Sequence, residues 1–190
     1  MNTYSLILFI HVLSAMALFI AIALEGSLLV RLRSARDRKE LEFPVTASRR
    51  LGRIYGPAFL GILGGGIYLA DKLRIRAAWV PLALCATLLM AIVAGLMTGR
   101  GMSRLRKVLA TGSQSFESLL PFAMSKTLLV SYGFRAGLAV GIVFLMTAMP
   151  SLVVSLVALG TGSVAGILVA LGLRGSGNYN NARNGVTQSD

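Results

Sequence analysis

Apolar positions gather into five long runs along the chain, at residues 4–30, 54–70, 77–98, 127–149 and 151–173, with short polar stretches between them. A helix needs about 20 mainly apolar residues to cross a bilayer, so each run reads as a transmembrane helix. The second run is the shortest and holds Gly61, Gly64, Gly65 and Gly66, which lower helix propensity. In the polar segment 31–53, Asp37, Glu40 and Glu42 lie among arginines and Pro44 interrupts the pattern. The expectation there is a first helix running on for a turn or two, a break near Pro44 and a restart toward Arg49. Residues 99–115 read as a basic connector, and 116–124, with Pro121 inside, as an interfacial segment entering the fourth span. Pro150 marks a tight turn between the last two spans. Residues 175–190 are rich in Gly, Asn and Ser without an apolar period, the composition of a disordered tail. The fold class is therefore all-α: a polytopic bundle of five transmembrane helices, one membrane domain over residues 1–174 and a polar tail.

Charge adds an orientation. Of 19 basic residues, all but Lys72, Arg74, Arg76 and Arg135 lie in segment 31–53, in the connector and entry to the fourth span, or after the last span. The positive-inside rule then places the N-terminus outside and the C-terminus in the cytoplasm. Residues 1–4 carry no Lys or Arg, and the first run exceeds the roughly 7–15 residues of a signal-peptide core. It reads as a retained helix. The formal charge of +12 is explained by this placement, with the basic segments meeting anionic lipid headgroups. No aromatics alternate with the charges, so nucleic acid is not the expected partner. Cys85, the single cysteine, falls mid-span and reads as a small buried apolar side chain.

Within the spans, Gly133, Gly137 and Gly141 recur every four residues and line one helix face, the arrangement by which helices approach closely in lipid. Arg135 points about 200° away from Gly133 at about 100° per residue. A fourth helix that needs a close neighbour on one face and a polar one on the other belongs at the centre of the bundle. Gly162 and Gly166, and Gly61 and Gly65, are candidate packing partners.

Ionisable groups inside a span cost on the order of 2.5–3.5 kcal/mol and usually pair inside the bundle. His11, Glu25 and Arg135 are the three that stand out. Glu25 lies about 8 Å from the basic end of its span and Arg135 about 12 Å from the same end, so an intramembrane Glu25–Arg135 ion pair is expected, tying the first helix to the fourth. His11 shares a helical stripe with Ala15, Leu18, Ile22 and Glu25, which would face the bundle. It reads as a hydrogen-bonding core residue or as a haem ligand through one ring nitrogen, with Met146 and Met149 toward the same end. One histidine cannot build a multi-histidine metal site. No hydrolase triad, phosphate loop or paired-carboxylate site is present, so no catalytic residue is assigned.

Two stretches carry a family likeness. Leu8-Phe9-Ile10-His11-Val12-Leu13-Ser14-Ala15-Met16, followed by Leu29-Val30-Arg31-Leu32-Arg33, resembles the first helix of small bacterial integral membrane proteins of unknown function. Ser48-Arg49-Arg50-Leu51-Gly52-Arg53 and Gly64-Gly65-Gly66-Ile67-Tyr68-Leu69 resemble their second helix and its entry. That group is distantly similar to copper-resistance protein D and to HemJ-type protoporphyrinogen oxidases, over about residues 5–107 here. In the HemJ-type enzymes the first-helix histidine is associated with haem, which the resemblance implies for His11. This chain departs from them in having Met16 and Leu18 where they carry a tryptophan after the histidine, and in having no further histidine.

The leading expectation is a structural or accessory protein of a bacterial inner membrane, locked by its buried polar residues, with membrane lipids as partners and an oligomer or partner protein allowed. One alternative is a haem-associated or redox membrane protein using His11. The other is a small metal-ion or solute transporter, for which the spans offer few polar groups.

Overall fold

The computed structural model describes the backbone of residues 2–75, 77–111 and 116–186, with side chains for these except 111, 118 and 173–186. It is all-α, and five helices are long and apolar enough to cross a membrane. The helices are α1 (Thr3–Ser34), α2 (Arg38–Lys72), α3 (Trp79–Val93), a π-helical turn (Ala94–Gly99), α4 (Arg100–Thr111), α5 (Phe116–Ala123), α6 (Lys126–Ala148) and α7 (Leu152–Val186). The α3, π and α4 segments form one continuous rod, and its spanning stretch is Trp79–Ala110.

Local chemistry sets the helix ends. The Asn2 side chain accepts from Tyr4 N at 3.2 Å and caps α1. At the far end, Arg31 and Arg33 occupy the last turn, where cations suit the negative end of the helix dipole. The chain breaks at Ala35–Asp37, not near Pro44: α2 begins at Arg38 and runs through both Pro44 and Pro57. Asp37 caps it by accepting from Glu40 N at 2.8 Å, while the Glu40 carboxylate reaches back to Arg36 N at 2.7 Å. This is close to a capping box. An interior proline costs about 3 kcal/mol, and here Pro44 is buried alongside Leu41 and Val45, whose burial offsets it.

The basic segments expected as connectors are thus largely helical and share an apolar core. Leu32, Leu41, Val45, Leu105, Leu119 and Leu128 meet there, bringing α1, α2, α4, α5 and α6 together. Arg33 donates to the Met124 carbonyl at 3.2 Å and Arg38 to the Leu109 carbonyl at 2.6 Å. Both arginines therefore satisfy carbonyls left open at the ends of α5 and α4.

α6 is the central element. In its most apolar stretch 61% of residues are buried, against 11–22% for the other spans. Met149 ends it in a left-handed conformation at φ 47°, with its N–H bonded to the Leu145 carbonyl. Pro150 follows and the chain turns back as α7. A Cβ on Gly137 would overlap the Gly162 carbonyl, and one on Gly133 the Gly166 carbonyl; these glycines are what let the α6 and α7 backbones touch. Gly61 and Gly65 do not meet α6. A Cβ there would collide with Ser14 and His11, so they seat α2 on α1.

One more sequence expectation differs. Cys85 is exposed on the outer face of α3, because Ala83, Ala86 and Met90 form the face turned to the core. The α7 backbone stays helical to Val186, past residue 173 where the apolar run stops. Extending an existing helix needs no new nucleus, so a helix can outrun its apolar stretch; residues 187–190 of the expected tail lie outside the described residues.

Candidate functional site

α1 delivers Glu25, α2 Tyr55, the π-helical turn Thr98, and α6 Ser131 and Arg135; the five meet in one polar centre toward the basic end of the bundle. Arg135 and Glu25 are 1% and 5% exposed, so the structure brings together two buried charges. Arg135 Nη1 donates to Glu25 Oε2 at 3.0 Å, and Nη2 pairs with Glu25 Oε1. This two-pronged geometry matches the guanidinium fork to the carboxylate. The Tyr55 hydroxyl also donates to Glu25 Oε2, and the guanidinium carbon stands 5.9 Å from the centre of the Tyr55 ring, within cation–π range.

Two further donors of Arg135 are used as well. Nε donates to the Ser131 carbonyl at 3.2 Å, and Nη2 to Thr98 Oγ1 at 3.1 Å. Thr98 Oγ1 lies 3.1 Å from Ser131 Oγ, joining the π turn to α6. A π turn widens the helix locally and often marks a functional position. Here it covers Ala94–Gly99, the stretch that sets Thr98 against Arg135. All polar atoms of Arg135 and Glu25 have partners, the condition under which a buried ion pair is tolerated.

Tyr55 and Thr98 were not singled out from the sequence. Their signal was faint: a tyrosine and a threonine near the basic ends of their spans, at the depth of Glu25 and Arg135.

His11 is apart from this centre. It is 9% exposed, and its Nδ1 has no hydrogen-bond partner among the described residues. The ring packs on the α2 glycines, a Cβ on Gly65 lying 3.2 Å from Nδ1. It lines a cavity of about 240 Å³ that Trp79, Ala83, Leu84, Thr87 and Met146 also border. The Thr87 hydroxyl is occupied by the Ala83 carbonyl at 2.8 Å. Gly133, Gly137 and Gly141 serve the α6–α7 contact and touch neither site.

No family model, curated protein or solved structure matches this chain.

Proposed function

We propose that this chain is a structural or accessory protein of a bacterial inner membrane, its N-terminus outside and its C-terminus cytoplasmic, with the Glu25–Arg135 centre acting as the lock of the bundle. The observation that carries this reading is the engagement of Arg135 with three helical elements at once. Its three nitrogens make four hydrogen bonds, all to protein atoms on α1, α6 and the π turn. Four of the five N–H donors of Arg135 are thus committed inside the bundle, which holds three helical elements in register.

The packing speaks in the same sense against a transport path. Along the helices between the His11 cavity and the Glu25 centre stand Leu18, Ile22, Phe59, Ile62 and Met90, members of one apolar cluster. A polar solute would have to part them. For the haem reading the residues present do not fit. A cavity of about 240 Å³ is below the roughly 300 Å³ at which drug-sized ligands begin, and haem is larger still.

The test is a double-mutant cycle on thermal unfolding in detergent. Breaking a buried pair by removing one partner costs about 3–5 kcal/mol, whereas removing both leaves no orphan charge. Glu25→Leu and Arg135→Leu alone should each destabilise more than the two together. Additive losses would overturn the lock.

A further inference from the structure

Beside the polar centre the bundle leaves a cavity of about 490 Å³, inside the roughly 300–1,000 Å³ range of ligand pockets. Its deep end is the finished network of Glu25, Tyr55, Thr98 and Arg135, and its other end is bordered by Arg49 of α2 and Arg106 of α4. Arg49 precedes Tyr55 by six residues and Arg106 follows Thr98 by eight, so the two arginines lie about 9–12 Å nearer the basic end. The walls in between are hydrocarbon, with Leu28, Leu29, Leu51 and Met102 among them.

The charge balance is uneven along this shaft. Glu25 neutralises Arg135 at the deep end, but neither Arg49 nor Arg106 has a carboxylate partner among the described residues. Two cations at the mouth of a low-dielectric cleft concentrate anions there, and guanidinium forks suit phosphate and carboxylate oxygens. Gly52 and Gly95 stand on its border, and a Cβ at either would meet nothing within 4 Å, so a larger side chain can be placed there without a clash.

We propose that this cavity binds a single-chain amphipathic anion, its phosphate or carboxylate held between Arg49 and Arg106 and its hydrocarbon chain laid against Leu28, Leu51 and Met102. The cavity is wide enough for one chain and not for two, and the apolar walls select against an anion without a chain. The site stands independently of the lock: its binding residues are not those whose removal tests the ion pair.

Native mass spectrometry of the full chain in neutral detergent reads this directly, by titration with lysophosphatidylglycerol, oleate, lysophosphatidylcholine and inorganic phosphate. Lysophosphatidylglycerol and oleate should bind at least tenfold more tightly than either lysophosphatidylcholine or inorganic phosphate. Arg49→Gln with Arg106→Gln should abolish the preference for the anionic headgroup. Gly95→Leu fills the void away from the ion pair and should weaken every amphipath at least tenfold; Gly52→Leu does the same should the first variant fail to fold. Equal binding of the anionic and zwitterionic lysolipids overturns the proposal. So does inorganic phosphate binding as tightly as the amphipaths, or unchanged binding in the double arginine variant or in a folded glycine variant.

Discussion

The carbonyl of Gly162 occupies the space that a side chain on Gly137 would need, so the α6 and α7 backbones are in direct contact. In lipid, where burying apolar surface gives helices little drive to associate, contact of this kind carries packing energy. Gly137→Ala should therefore destabilise by about 1–3 kcal/mol, as overpacking usually does. Gly64→Ala, where an added Cβ meets nothing within 4 Å, should be neutral or stabilising by up to about 1 kcal/mol. Unfolding in detergent compares the two, and equal losses would mean the glycine contact is not what joins these helices.

Tyr55 offers a finer test of the polar centre. Tyr55→Phe removes one donor to Glu25 Oε2, which keeps the bond from Arg135 Nη1. A hydrogen bond to a charged group contributes about 1.5–3 kcal/mol, less than the whole pair, so this variant should fall between wild type and Arg135→Leu in stability. A loss as large as that of Arg135→Leu would show that Tyr55 anchors the centre.

Asp37 is the third test, because it sets where α2 starts. Asp37→Ala removes the cap on Glu40 N and should cost about 0.5–2 kcal/mol. Hydrogen exchange should localise the change to the first turn of α2. Protection that is unchanged there would place the helix start under other control.

Topology is checked by thiol labelling in a Cys85→Ala background. A membrane-impermeant maleimide should label Met149→Cys in intact cells and Arg50→Cys only after permeabilisation. Met149 and Arg50 are both exposed, so a reversed pattern would invert the orientation.

Hydropathy runs and charge placement determined the broad outline by themselves. The five spans, the central place of α6 and the glycine face that meets α7 all follow from the cost of exposing backbone and charge to hydrocarbon, a constraint legible residue by residue. The depths of Glu25 and Arg135 were legible in the same way, because each residue adds a fixed rise along a helix. What only the tertiary structure decided depends on which helices are neighbours. Pro44 stays inside a helix because Leu41 and Val45 find a core built by α4 and α5. Gly61 and Gly65 meet α1 and not α6 because α2 lies against α1. Tyr55 and Thr98 join the ion pair because α2 and the π turn face α1 and α6 at one level, and Arg49 and Arg106 border one cavity for the same reason. A one-dimensional pattern fixes depth and face through rise and rotation; azimuthal order around the bundle is set by side-chain packing between distant segments, which no local period encodes.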